Sequence, residues 1–218
     1  MDIDVFILIG GKSSRLGTDK ALVGIRGKTL AERSAKTIET ALCPNRINFV
    51  SRSEDQFNTD LFSKLGYQVI ADLRPGFGAW SGIHAAVADA QRDWIFLSAC
   101  DNPMVSPEFL KLLADSIVDG DEAVAVRQPD GRLQPLLAFY RALPTLAVVE
   151  KVLATNERLP PLTTIFDSLK TRILNPDEYD HLENADKFFL NINTAADLSA
   201  IRNLNAENAM EAENISFN

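Results

Sequence analysis

Glycine, serine and cationic side chains crowd the stretch GGKSSRLGTDK, residues 10–20, directly after the apolar run VFILI at 5–9. Gly10, Gly11 and Gly17 let backbone N–H groups approach a ligand closely. Ser13 and Ser14 add hydroxyl donors, and Arg15 and Lys20 add positive charge. That combination suits a polyphosphate. Its spacing fits neither GxxxxGK[ST], because Lys20 is followed by Ala21, nor GxGxxG. A basic surface turn that binds nothing has the same composition, so both alternatives stay open on this stretch alone.

Three further stretches carry candidate chemistry. In WIFLSACDNPM, Asp101 stands two residues past an apolar strand, where a carboxylate can bind Mg²⁺ through oxygen or merely cap the turn before PEFL. In DLRPGFGAWSGIHAAV, Asp72 closes a strand, Gly76 and Gly78 make a bare loop, and Gly82 opens a helix whose N-terminus favours an anion. Any loop joining strand to helix contains turn residues, so this stretch is weak evidence by itself. In FFLNINTAADL at 188–198, Asn191 and Asn193 are two apart and share one side of an extended chain, able to hold a polar substrate or only to organise the turn. Thr194 and Asp197 resemble a capping box with Asp as its acid. His84 and His181 receive no role. The two cysteines, Cys43 and Cys100, have neither metal-ligand nor redox spacing, and Cys100 reads as a small buried apolar residue rather than a nucleophile.

The elements that must position these residues alternate. Strands are expected at 5–9, 47–50, 67–70, 94–99 and 122–126, and helices at 30–42 with Thr29 as cap, 55–65, 81–91 and 107–117. QPLLAFY at 134–140 reads as a strand at the sheet edge, ALPTLAVVEKVLA as a helix, and 188–190 as a short strand. Strands alternating with helices specify a Rossmann-like, doubly wound, mostly parallel α/β sheet with helices on both faces. Ligands of such sheets lie at the carboxyl ends of the strands, just where stretches 10–20, 72–82 and 100–103 fall. One domain over 1–202 is expected, followed by a polar tail at 203–218 that reads as frayed or disordered.

A net charge of −8 argues against a broad nucleic-acid or anionic-membrane surface, so any positive site must be local. The N-terminal MDIDVFILIG has no basic leader and too short an apolar run for a membrane span. A cytoplasmic location is therefore expected.

Together the stretches resemble the MobA-like nucleotidyltransferases, which attach GMP or CMP to molybdenum cofactor. GGKSSRLGTDKALVGIRGKTL is similar to their LAGGxSxRMGxDKxLxxxxGxxL, DLRPGFGAWSGIHAAV to D…GPLxGIxAAL, LSACDNPM to PCDMP, QPLLAFYR to HPxxALYR, and LNINTAADL to NINTPEDL. The five run in the family's order from residue 5 to about 200, and their combination is specific where each piece is not. The resemblance implies a nucleotidyltransferase fold and transfer of a nucleotidyl group from GTP to the phosphate of molybdopterin, with release of pyrophosphate. It implies that Leu8, Ile9, Gly10, Gly11, Ser13 and Gly82 lie against the nucleotide and that Asp72 contacts the base. Arg15 and Lys20 would hold the triphosphate, Asp101 would bind Mg²⁺ as cofactor, and Asn191 and Asn193 would face the pterin phosphate. Protein partners would be those that make molybdenum cofactor or deliver it to molybdoenzymes.

The sequence departs from the pattern at Ile9 (usually Ala), at Ala79-Trp80-Ser81 (usually Pro-Leu-Ala) and at Gln134 (usually His). CTP in place of GTP, a sugar-phosphate acceptor, and a non-catalytic nucleotide-binding scaffold are the alternatives these departures leave open.

Overall fold

The computed structural model describes residues 1–11, 19–57, 60–155 and 158–202. Its strands are β1 (Ile3–Leu8), β2 (Gly24–Ile25), β3 (Lys28–Thr29), β4 (Arg46–Ser51), β5 (Gln68–Ala71), β6 (Trp94–Ala99), β7 (Ala123–Val126), β8 (Leu137–Arg141) and β9 (Thr171–Leu174). Seven of them form one sheet in the order β5-β4-β1-β6-β8-β7-β9, with β5, β4, β1 and β6 parallel and β8 antiparallel to both of its neighbours. The mostly parallel, doubly wound sheet expected from the sequence is present.

Helices α1 (Leu30–Leu42), α2 (Asp60–Ser63), α3 (Ala79–Asp89), α4 (Pro107–Asp115) and α5 (Ala142–Ala154) are joined by α6 over 195–202. Alternation along each strand sends side chains to two cores. Val5 and Ile7 of β1 and Phe96 of β6 enter the core beneath α1 and α4. Phe6, Ile95 and Leu97 enter the opposite core beneath α3 and α5. Helix starts follow from local chemistry. Thr29 Oγ1 accepts from Glu32 N–H at 3.1 Å while Glu32 Oε2 accepts from Thr29 N–H at 2.6 Å. Ser106 caps α4, with Pro107 in its first turn.

A third, smaller apolar cluster joins the β2–β3 hairpin to the C-terminal segment through Val23, Ile25, Leu30, Ile192 and Ile201. Thr194 and Asp197 cap α6 as expected: Asp197 Oδ2 accepts from Asn193 and Thr194 N–H at 2.9 and 2.8 Å, and Thr194 Oγ1 accepts from Asp197 N–H at 3.2 Å.

Four expectations are corrected. Residues 134–140 do not make an edge strand, because β8 lies between β6 and β7 with Ala138, Phe139 and Tyr140 fully buried. The edge belongs to β9, whose short sequence carries no distinctive pattern. In place of a helix over 55–65 the described residues make a 3₁₀ turn at Glu54–Gln56 and the brief α2, since Phe57 leaves the turn in extended backbone (φ −131°, ψ 150°) to pack its ring against Phe62 in the core. Residues 188–190 make a turn, with Phe188 held in an aromatic cluster against Phe109 rather than in a strand. Helix α3 opens at Ala79 rather than at Gly82, which places Gly82 within its first turn. The tail 203–218 lies outside the described residues.

Candidate active site

The carboxyl ends of β1, β4, β5 and β6 meet around a cleft of about 600 Å³, within the range that holds a nucleotide-sized ligand. Leu8, Ile9, Gly10, Gly11, Gly82 and Asp72, named from the sequence, line it together with Lys20, Asp101 and Asn193. Arg15 and Ser13 lie outside the described residues. Asn191 is half-buried and does not line the cleft. No strand is assigned over 190–194, and of the two asparagines it is Asn193 that reaches the cleft. Ile192, between them, is drawn into the third apolar cluster.

Lys20 is the centre of the polar floor. Its Nζ donates to Asp101 Oδ2 at 2.8 Å and to Asn193 Oδ1 at 2.9 Å. The three residues come from near the start, the middle and near the end of the chain, and backbone bonds bring them together. Asp19 caps the 3₁₀ turn Lys20–Leu22 by accepting from Ala21 N–H at 3.3 Å. Cys100 N–H donates to Leu8 C=O at 3.4 Å and Ile192 N–H to Asp101 C=O at 3.1 Å, which sets Asp101 at the end of β6 and the Asn193 segment beside it. Cys100 is buried and its thiol is pushed up to about 12, first by desolvation and then by the Asp101 charge, so it holds its proton and is no nucleophile.

Glycine supplies the close approaches. A Cβ on Gly10 would lie 2.8 Å from Arg52 N, where the end of β1 passes the loop after β4. A Cβ on Gly82 would lie 2.9 Å from Leu8 Cδ2, so any larger residue there would have to displace the Leu8 side chain at the end of β1.

At the other end of the cleft, Asp72 and Arg52 follow the adjacent strands β5 and β4, tied by Asp72 N–H donating to Ser51 C=O at 3.0 Å. Among the described residues neither side chain pairs with a charged partner. Desolvation pushes the Asp72 carboxyl up to about 6, with Arg52 pulling the other way. A carboxylate kept partly desolvated, with no donor to it among the described residues, is poised for donors on a ligand. Its stability contribution is present below the ordinary carboxylate range near pH 4 and is lost as pH rises through about 6. Asp72→Asn is therefore expected to raise stability at pH 7 by about 1–2 kcal/mol, the partly solvated position reducing the full effect. The gain should shrink towards zero at pH 4 in melting experiments run at both values, and an equal gain at both would be the contrary result.

Asp101, the residue of the Mg²⁺ expectation, lines the cleft at the end of β6. Among the described residues no group of three or more His, Cys, Asp or Glu side chains could hold an ion. A cation on Asp101 would complete its shell with phosphate oxygens and water, the pattern of Mg²⁺ rather than of a structural zinc.

Sequence reasoning missed Arg52, Asp19, Val50 and Leu136. Arg52 was signalled, since it follows strand INFVS as Asp72 follows its own strand. Leu136 was not: because β8 runs antiparallel, its beginning rather than its end faces the cleft. The departures at Ile9 and Trp80 do not crowd the cleft. Ile9 is 2% exposed with its side chain in the core under α1 and α4, and Trp80 is 3% exposed, its Nε1 donating to Pro160 C=O at 3.0 Å. Ser81 Oγ braces the preceding loop through Arg74 C=O and Phe77 N–H.

Residues 5–159 match the MobA-like NTP transferase domain. A protein of Carboxydothermus hydrogenoformans named probable molybdenum cofactor guanylyltransferase is 31% identical, over 90% of this chain and 93% of its own. One of Bacillus licheniformis with the same name is 30% identical, over 89% and 94%. The crystal structure of molybdopterin-guanine dinucleotide biosynthesis protein A from Archaeoglobus fulgidus superposes with a TM-score of 0.76 at 25% identity, over 94% of this chain and 100% of that one.

Proposed function

Because the chain belongs to the MobA-like NTP transferase family, we propose that it is a molybdenum cofactor guanylyltransferase, moving GMP from GTP to the phosphate of molybdopterin with release of pyrophosphate. The observation that carries this reading is the cluster of Lys20, Asp101 and Asn193 at the floor of a glycine-lined cleft.

A phosphate oxygen of the acceptor attacks the α-phosphorus of the nucleotide, so two anions must be brought together. The attacking group is already ionised at neutral pH and needs no strong general base. Catalysis is then charge neutralisation and in-line positioning. Lys20 supplies positive charge to the triphosphate, joined by Arg15 if its matching position in the family holds. Asn193 orients the acceptor phosphate beside Lys20. Asp101 would hold Mg²⁺, which supplies further neutralisation of phosphate charge.

Asp72, which accepts no side-chain hydrogen bond from the described residues, favours guanine over cytosine. Guanine presents N1–H and the N2 amine side by side to a carboxylate, whereas cytosine offers a single amine. Arg52 is left to the ligand's acceptor atoms. Protonation of Asp72 below about pH 6 should accordingly weaken GTP binding. With Mg²⁺ present, GTP at a hundredfold excess over Kd is expected to raise the melting temperature by about 5–10 °C, with ATP and CTP giving far less. A larger rise with CTP would move the reading to cytidylyl transfer. Pyrophosphate released from GTP in the presence of molybdopterin is the direct test. A cytoplasmic location, and passage of product to proteins of cofactor biosynthesis or molybdoenzyme delivery, belong to the same proposal. Among the described residues no helix is long and apolar enough to cross a membrane.

A further inference from the structure

The loop after β4 holds a side chain to which the reaction assigns no role. Gln56 uses both ends of its amide. Its Oε1 accepts from Arg52 N–H at 2.6 Å, and its Nε2 donates to Ile9 C=O at 3.2 Å and to Asp19 Oδ2 at 2.9 Å. With oxygen towards Arg52 and nitrogen towards the other two, every contact pairs a donor with an acceptor, and the flipped amide would lose all three.

Ile9 and Asp19 flank the glycine-rich stretch. One amide thus ties the point where the chain leaves β1 to the point where it enters the turn bearing Lys20, and ties both to the backbone beside Asp72. Asp19 spends its other carboxylate oxygen on Ala21 N–H, capping the turn whose first residue reaches Asp101 and Asn193. A role confined to its own 3₁₀ turn would explain the bond to Arg52. It would not explain a bond to Asp19, 37 residues away in the chain.

We propose that Gln56 is a positioning residue that fixes Asp19, and through it Lys20, at the distance from β1 at which the Lys20 ammonium faces Asp101. The catalytic consequence rests on the guanylyl-transfer reading, while the geometric one does not. Donor and acceptor polarity make the inference testable. Gln56→Glu keeps the acceptor for Arg52 N–H but sets a second carboxylate against Asp19. Adding Asp19→Asn restores the pair in reverse: the new amide at position 19 donates to the new carboxylate at position 56, and its oxygen is still free for Ala21 N–H.

Amide hydrogen exchange followed by mass spectrometry should show residues 19–23 of Gln56→Ala exchanging about tenfold faster, with β1 and β6 unchanged. In the same variant kcat for GTP should fall about 10²-fold while KM moves less than about threefold. A loss of stability alone would not produce that split. Gln56→Glu should show both defects, and Gln56→Glu with Asp19→Asn should recover about tenfold in each. Unchanged exchange at 19–23 in Gln56→Ala overturns the proposal, as does a double variant no better than Gln56→Glu. Should Gln56→Ala fail to fold, the comparison of Gln56→Glu with the double variant decides. If the unsubstituted protein releases no pyrophosphate from GTP, the guanylyl-transfer reading falls, and the exchange data still settle whether Gln56 holds Asp19.

Discussion

Asp101→Asn is expected to lower guanylyl transfer by about three orders of magnitude, equivalent to about 4 kcal/mol of transition-state stabilisation, in a protein that still folds. The folding expectation follows from the contacts. Asparagine keeps an oxygen to accept from Lys20 Nζ, and the bond from Ile192 N–H is to the Asp101 backbone, which the substitution leaves intact. What disappears is the carboxylate charge at the end of β6; among the described residues no group of three or more His, Cys, Asp or Glu side chains could hold an ion. The measurement is pyrophosphate release alongside a melting curve. The Asn variant should also lose the extra rise in melting temperature that Mg²⁺ adds to GTP. Near-normal turnover would remove Asp101 from the metal role and reopen the question of where the ion sits. A scaffold that merely retains the fold would release no pyrophosphate with or without the substitution.

Lys20→Met is expected to lower kcat by about 10²–10³-fold, since the removed charge faces phosphate oxygens whose negative charge must be neutralised as pyrophosphate departs. Methionine retains much of the aliphatic stem, which matters for a side chain only 15% exposed. Stability should fall by about 1–3 kcal/mol, because Asp101, 27% exposed, loses its counter-charge in a partly desolvated place. Lys20→Arg should not restore activity. A single ammonium serves Asp101 and Asn193 at 2.8 and 2.9 Å, whereas a planar guanidinium is wider and directs its donors along a fixed fork. Steady-state kinetics on Met and Arg variants, with melting temperatures to separate chemistry from folding, check both statements. An Arg variant of full activity would show that charge alone is required.

These effects converge on one place although the residues behind them come from far apart. Lys20 follows the first strand, Asp101 the fourth parallel one, and Asn193 a segment near the end of the described chain. Ile192 explains why Asn193 arrives: it is fully buried against Val23, Ile25 and Leu30, so the apolar cluster that seats the hairpin also carries the asparagine to Lys20. Asn191 shows the limit of spacing. The spacing of two made both asparagines candidates, whereas Asn193 meets Lys20 and lines the cleft and Asn191 does not line it.

The departures from the family pattern have the same lesson. Ile9 stands where Ala is usual and Trp80 where Leu is usual, and read along the chain both larger side chains threaten the cleft. In the fold, Ile9 belongs to one core and Trp80 to the other, the latter fixed by a hydrogen bond to Pro160 C=O. Size by itself does not tell which side of a strand or helix end a side chain takes.

Alternating apolar strands and capped helices determined the doubly wound sheet, because periodicity and capping are properties of neighbouring residues. The rule that chemistry collects past the ends of parallel strands likewise made Gly10, Lys20, Asp72 and Asp101 legible, and it covers Arg52 as well. Only the tertiary structure decided what depends on order across the sheet and on distant contacts: that β8 lies inside the sheet and offers Leu136 from its beginning, that Asn193 rather than Asn191 meets Lys20, and that Gln56 braces both ends of the stretch GGKSSRLGTDK. No local pattern encodes these, since each is fixed by which surfaces bury together when the chain closes.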